Sequence, residues 1–378
     1  MKLSLEVSLL SELLDLSTRF IAKSSTLPIL QNIYIAVVDN EVTIKATDME
    51  KYILIHFPID KAEDGGITVD AKTFFEIIKT IEDDHVELSV SGDNLSISSA
   101  KDSFTIKGLP LQEFVALPDL KEPKTIEFPV ATLTAGIGKV EFAVLEKNFS
   151  PVFTGVLMTT KHESGKDSIV FVGTDSYRLA EYKTPYEGKA QEMKVIIPKS
   201  SINDIKKVGD YCTGKGQHNN VIVNFSHNMI LCEFTIGNMS IKTNSLLIQG
   251  NFPDYDNEKI LPKNFNTTIT VDSSATDKAI RKIGILTKDN NNFIHLVSQD
   301  NILEISSGNT DLGQANTSIS AIIDKGDINV GLNGKHVADF MKIANSDRIN
   351  MNFVDNTSPI VLMEPDSTVY KYVIRPVK

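Results

Sequence analysis

A strand ends in Thr47-Asp48, another ends in Thr174-Asp175, and Thr310-Asp311 stands at the matching place further along. The three aspartates lie 127 and 136 residues apart. A spacing of that size is a whole domain. The chain therefore reads as three similar domains side by side, not as a solenoid of short repeats. Three copies of one scaffold build a surface or an enclosure more readily than a single catalytic pocket.

Each copy divides again. A short strand, an amphipathic helix and several more strands recur from starts near Lys2, Gly66, Thr125, Met193, Asn266 and Asp327, which are 59 to 73 residues apart. Helical spacing of apolar residues marks six helices. Their stripes are Leu9, Leu10, Leu13, Leu14 and Phe20; Phe74, Phe75, Ile77, Ile78 and Ile81; Leu133, Ile137, Val140 and Val144; Ile202, Ile205 and Val208; Ala279, Ile280 and Ile283; and Val337, Phe340, Met341 and Ala344. Alternating or apolar runs such as 33–38, 169–172 and 221–223 read as strands, separated by turn signals such as Asp39-Asn40 and Gln299-Asp300-Asn301. The expected fold is α+β, with two helices packed on antiparallel sheets in each of three domains, 1–124, 125–254 and 264–378.

The 378 residues carry 38 Lys+Arg and 49 Asp+Glu, a net charge of −11. Taken alone, that argues against wrapping nucleic acid, because phosphate binding is driven by cations. The distribution argues otherwise. The segments 8–23, 71–81, 131–147, 198–208, 274–288 and 334–344 hold 15 Lys+Arg against 8 Asp+Glu, a net of +7, which leaves −18 for the remainder. Lysine suits any exposed helix face. If these helices share one face, however, that face is positive and attracts phosphates without reading bases, while an acidic exterior discourages other contacts. No apolar run approaches the roughly 20 residues that span a bilayer. The N-terminal segment lacks a signal-peptide pattern. Cys212 and Cys232 then read as reduced thiols, and the expected location is cytoplasmic.

No complete catalytic motif is present, neither His-Glu-x-x-His nor Cys-x-x-Cys nor Gly-x-Ser-x-Gly. The stretch 209–215 has the spacing of a phosphate loop. Gly216 stands where Ser or Thr should hold magnesium, so a flexible loop is the expectation. Cys212 and His218 make a poor metal site. Asn148-Phe149-Ser150 fits a glycosylation sequon that carries no meaning in the cytoplasm. The Thr-Asp pairs and Asp83-Asp84 could suggest carboxylate chemistry, but aspartate at a strand end more often bonds its own backbone. An enzyme with a site at a domain boundary would draw on His336, Arg178 and Asp175.

Four stretches carry a resemblance. Thr26-Leu27-Pro28-Ile29-Leu30-Gln31-Asn32, Gly173-Thr174-Asp175-Ser176-Tyr177-Arg178-Leu179-Ala180, Asn251-Phe252-Pro253-Asp254-Tyr255 and the tail Tyr372-Val373-Ile374-Arg375-Pro376-Val377-Lys378 resemble, in order along the whole chain, the bacterial DNA sliding clamps, the beta subunit of DNA polymerase III. The resemblance implies a head-to-tail homodimer ring around duplex DNA, held without sequence preference, with helices lining the hole and sheets outside. It implies no catalytic residue, no cofactor and no metal. It implies as partners the polymerase III catalytic subunit, a clamp loader, and other replication and repair proteins with clamp-binding peptides, and no membrane.

Carried over by position, the peptide pocket would be walled by Phe153, Thr174, Tyr177, Arg178, Leu179, Pro253, Ile260, Asn333, His336, Thr357, Pro359, Val373, Arg375, Pro376 and Val377. The cations expected to face DNA are Lys23, Lys72, Lys147, Lys199, Lys206, Lys278, Arg281 and Lys282. The subunit joint would set Phe104 and Ile106 against Ile285 and Leu286 of the partner. Arg375 departs from the family, which often has an apolar residue there. Pro151-Val152 replaces an aromatic pair, and the 309–316 stretch keeps only Asp311 as an acid.

Overall fold

The computed structural model describes residues 1–147, 149–187, 191–216, 219–365 and 367–377. Asn148 of the sequon, His218, and Lys378 at the end of the tail motif lie outside the described residues. Within them, six strands run straight into six helices with no loop between. Lys2–Glu6 enters α1 (Val7–Ser17), Gly65–Asp70 enters α2 (Ala71–Thr80), and Lys124–Pro129 enters α3 (Val130–Val140). Lys194–Pro198 enters α4 (Lys199–Gly214), Thr267–Asp272 enters α5 (Ser273–Thr287), and Asn329–Asn333 enters α6 (Gly334–Ile343). Three of these junctions are capped by the strand's last side chain. Asp70 accepts from Thr73 N–H, Asp272 from Ala275 N–H, and Asn333 from Lys335 and His336 N–H. Such a cap satisfies amides that a helix start leaves orphaned, and each contributes about 1 kcal/mol.

The helix starts follow the sequence reading; several ends do not. Phe20 and Val144 are buried, yet they lie beyond α1 and α3, where the chain has turned inward. An apolar residue on helical spacing marks burial, not helix. With all six ends placed where the structure has them, the charge asymmetry shrinks. The six observed helices hold 11 Lys+Arg and 7 Asp+Glu, which leaves 27 and 42 outside, a net of +4 against −15. The 209–215 stretch is also not a flexible loop, since α4 runs through Gly214. Gly209 lets α4 approach Thr134 and Val130 so closely that a Cβ would overlap the Thr134 methyl.

The chain forms two compact units. The first is Met1–Ala135 with Ser200–Ile248, and the second is Gly136–Lys199 with Gln249–Lys378. Among the described residues each unit contains one continuous antiparallel sheet, of 13 strands in the first and 12 in the second. These units cut across the sequence domains, because strands of the middle segment enter both sheets. Met239–Leu246 pairs with Lys51–Pro58, Lys51 opposite Ser245. Arg178–Tyr186 pairs with Tyr370–Ile374, Arg178 opposite Ile374. In the first unit α1 packs on α2, and in the second α5 packs on α6. No helix among the described residues is long and apolar enough to cross a membrane. Cys212 and Cys232 are buried and free, and burial pushes both thiols up to about 12.

Candidate functional site

The Thr-Asp pairs are turns, and the first two copies match atom for atom. In the second unit Thr174 Oγ1 donates to Arg178 O (2.7 Å) and accepts from Ser176 N–H (3.2 Å). Asp175 Oδ1 accepts from the N–H groups of Tyr177 (3.0 Å) and Arg178 (2.9 Å). In the first unit Thr47 Oγ1 donates to Lys51 O (2.9 Å) and accepts from Met49 N–H (3.0 Å), while Asp48 Oδ1 accepts from Glu50 (3.0 Å) and Lys51 (2.9 Å). Met49 and Ser176 share the same left-handed backbone, φ 76° in both. Aspartate and threonine suit this turn because each bonds backbone two to four residues on. The third copy differs. Thr310 bridges to Gly313, a turn one residue shorter, and Asp311 is exposed.

Behind the middle turn lies a buried ionic network. Arg178 Nε donates to Asp175 Oδ2 (2.9 Å), Nη1 to Asp339 Oδ2 on α6 (2.7 Å) and Tyr372 Oη (3.3 Å), and Nη2 to Phe142 O (2.9 Å). Its guanidinium also lies over the Phe142 ring, 5.3 Å from the centroid. Burial alone would lower the Arg178 pKa; Tyr372, Asp339 and Asp175 more than offset this and raise it. Burial pulls the Asp339 carboxyl up, but its hydrogen bonds to Arg178 and Lys342 hold it below its ordinary value. Lys51 repeats the arrangement in the first unit, reaching Asp204 on α4. Asp175 and Arg178 are thus spent on each other and on the turn, leaving neither free for acid or base work.

In front of the turn opens a cavity of about 590 Å³, within the size range of ligand sites. Its wall includes the cross-strand pair Leu179 and Val373, both 4% exposed and directly opposed in the sheet. Phe153, Thr174, Tyr177, Arg178, Pro253, Ile260, Thr357, Pro359 and Arg375 complete the expected wall residues that line it. The 355–359 wall is shaped by Asp355, whose carboxyl the N–H of Thr357 and the hydroxyl of Ser358 hold down to about 2. Ser176, Tyr255, Lys259 and Ser358 also line the cavity and were not expected. Tyr255 closes the Asn251-Phe252-Pro253-Asp254-Tyr255 motif, so that stretch pointed to it.

Four expected wall residues stand outside the lining: Asn333, His336, Pro376 and Val377. Asn333 is committed to capping α6. Val377 extends past the wall, its N–H donating to Gly331 O. His336 stands behind, where its carbonyl accepts from Tyr372 Oη (3.1 Å) and its buried Nδ1 has no hydrogen-bond partner among the described residues. Burial, then Arg178, push the His336 pKa down to about 4 against the opposing pull of Asp175 and Asp339, with Lys335 adding to the depression. A histidine kept neutral in the fold and ordinary when unfolded makes the unfolded state the greater proton binder between about 4 and 6.5. Stability is therefore full above 6.5 and falls as pH drops through that window. Discounted for partial exposure, the loss is about 1–2 kcal/mol. Urea unfolding at pH 7 and 4.5 is expected to show wild type losing that much more than His336→Gln; equal losses would refute the assignment.

The other expected residues sit as follows. Lys23, Lys72, Lys147, Lys278 and Lys282 are exposed and form no ion pair among the described residues. Lys23 and Lys147 lie beyond the ends of α1 and α3. Lys199 Nζ donates to Val144 O (2.9 Å), Lys206 pairs with Asp210 (2.8 Å), and Arg281 pairs with Asp277 (2.7 Å), so three of the eight cations are partly spent. Phe104 and Ile106 lie half-buried on Ser103–Leu109; Ile285 is 67% exposed on α5, beside half-buried Leu286. Among the described residues no group of three or more His, Cys, Asp and Glu could hold a metal ion.

Comparison with known proteins fits this geometry. Family models for the N-terminal, central and C-terminal domains of the DNA polymerase III beta subunit match residues 1–118, 127–254 and 258–378. Proteins named beta sliding clamp from Staphylococcus epidermidis and Staphylococcus aureus are each 26% identical over 369 residues, 95% of this chain and 94% of theirs. The DNA polymerase sliding clamp of Bacillus subtilis, a crystal structure, is 25% identical with a TM-score of 0.89, covering 100% of this chain and 99% of that one. A sliding clamp from Pseudomonas aeruginosa bound to griselimycin shares the fold at 21% identity and a TM-score of 0.91, with the same coverage. With all three domain models matched in chain order, this chain belongs to the DNA polymerase III beta subunit family, the non-catalytic sliding clamps of bacterial DNA replication.

Proposed function

We propose that two copies of this chain close head to tail into a ring around duplex DNA, and that the 590 Å³ cavity holds the peptide tails of partner proteins against it. The partners are the polymerase III catalytic subunit, a clamp loader that opens the ring, and other replication and repair proteins. The domain division is 1–124, 125–254 and 264–378, and the setting is cytoplasmic. The observation that carries the reading is the in-order match of all three family domains, joined to a cavity at the place the clamp resemblance assigns to peptide binding. The Pseudomonas relative bound to griselimycin supports a ligand site on this scaffold. Lys23, Lys72, Lys147, Lys278 and Lys282, which form no ion pair among the described residues, are the cations offered to phosphate; Lys199, Lys206 and Arg281 serve more weakly.

The subunit joint finds support in two half-open edges. Ser103–Leu109 pairs with Asn94–Ser98 along residues 103–107, and with Gly65–Asp70 only at 108–109. Asn316–Asp324 pairs with Ile302–Ser306 along 316–320, and with Thr267–Asp272 only at 321–324. Each strand thus leaves one side of its outer half unpaired among the described residues. Open edges invite pairing, and a closed ring removes them. Phe104 and Ile106 of one copy would meet Ile285 and Leu286 of the next, burying the exposed isoleucine. Native mass measurement is expected to give about twice 41.7 kDa, and Ile285→Asp to shift the population to the single chain. A strict monomer at micromolar concentration for the wild type would contradict the ring.

A further inference from the structure

The mouth of the cavity carries charge that nothing in its own wall answers. Arg375 and Lys259 both line it, and no aspartate or glutamate does. Asp254 and Glu258 flank the lining residues Pro253 and Lys259 in sequence and are exposed, but neither lines the cavity; four other nearby acids are already spent. Asp175 and Asp339 hold Arg178, Asp256 holds Lys161 and Lys263, and Asp355 holds Thr357 and Ser358. Neither the Arg375 guanidinium nor the Lys259 ammonium has an ion-pair partner among the described residues. Arg375 is fixed at the rim by its own N–H, which donates to Tyr177 O (2.9 Å). An exposed cation is commonly just solvated. Two of them on an apolar recess whose lining holds no acid give the wall a positive sign, in a chain of net charge −11.

Building on the peptide reading of the cavity, we propose that it selects peptides bearing a carboxylate beside their apolar anchors, and that Arg375 and Lys259 are the residues that select. The anchors fill the recess over Leu179 and Val373 and exclude water. The carboxylate then meets the cations at a rim of lowered dielectric, where a guanidinium can hold it by two hydrogen bonds. Discrimination at such a rim is modest, up to about fivefold between an acid and its amide, and is weakened by salt.

The test uses the full chain and a set of short peptides with fixed Leu and Phe anchors, in which each non-anchor position is in turn Glu or Gln. Fluorescence anisotropy would give Kd at about 50 mM and 500 mM salt, conditions chosen because screening separates them. At least one Glu peptide is expected to bind about fivefold tighter than its Gln twin at low salt and less so at high salt. In the double variant Arg375→Met, Lys259→Met that preference should vanish, while the Gln peptides keep their affinity within about twofold. Equal binding of all Glu and Gln twins by the wild type overturns the proposal and leaves the pocket reading standing, as does a preference that survives in the double variant. Failure of every peptide to bind overturns both.

Discussion

Loaded on closed circular duplex, the protein is expected to survive washes at 200 mM salt, and a single double-strand cut is expected to release it. The reason is the weakness of its phosphate contacts. The chain carries −11 overall, its helices only a net +4, and three of the eight cations expected to face DNA already have partners. A protein held by 6–10 phosphate contacts loses affinity by about 10³–10⁵ between 50 and 200 mM salt. A ring held by topology does not, because leaving requires opening the ring or reaching an end. Residence time should therefore fall by roughly two orders of magnitude or more on linearisation at constant salt, while salt alone changes retention on the circle little. Gel filtration of labelled protein with circular and cut plasmid measures both. Long retention on free linear DNA, or salt stripping from the intact circle, would contradict a sliding ring.

Arg178→Ala is expected to be among the most destabilising single changes in the second compact unit. The guanidinium is 11% exposed and its two carboxylates 8% and 15%. Removing it leaves buried Asp175 with no cation and Asp339 with Lys342 alone, and unpairs the carbonyl of Phe142, a loss of charge compensation costing about 3–5 kcal/mol. For a unit of this size that corresponds to a fall in melting temperature of roughly 6–20 °C. Arg178→Lys should recover only part, since an ammonium cannot reproduce the fork that reaches Asp175, Asp339 and Phe142 together. Calorimetry of the full chain gives the total. Hydrogen exchange at Tyr370–Ile374, the strand paired with Arg178–Tyr186, shows whether the loss lies beside the cavity. A change below about 1 kcal/mol would mean the network is solvated and replaceable.

The turn itself should outlast that substitution. Asp175 still accepts from Tyr177 and Arg178 N–H, and those bonds need no arginine side chain. This separation between local and distant bonding also explains what could be read from the residues. Strand and helix starts are written locally. A side chain such as Asp272 caps amides three residues on, so the six strand-to-helix junctions fall within a few residues of their expected starts. The Thr-Asp turns are local in the same way, five residues closed on themselves. Helix ends are less local, because Phe20 and Val144 continue the apolar spacing while turning into the core; the positive excess was overdrawn because Arg19, Lys23 and Lys288 fall outside their helices and Asp210 falls inside α4. Asn333 and His336 were placed in the wall by position, but one caps α6 and the other stands behind Tyr372. Lys259 and Ser358 sit on segments whose conformation no nearby pattern announces.

By itself the sequence determined a thrice-repeated scaffold, its six strand–helix starts, the chemistry of its Thr-Asp turns and the family to which it belongs. Only the tertiary structure decided what each copy became. Lys51 opposite Ser245 and Arg178 opposite Ile374 join strands 194 and 196 residues apart. Pairings of that range are selected by shape and burial across the whole unit, which no short spacing encodes. Both turns reach a helix aspartate, through Lys51 to Asp204 and through Arg178 to Asp339. The second has Leu179 beside Val373 and the 355–359 wall around it, and there the same turn fronts a cavity.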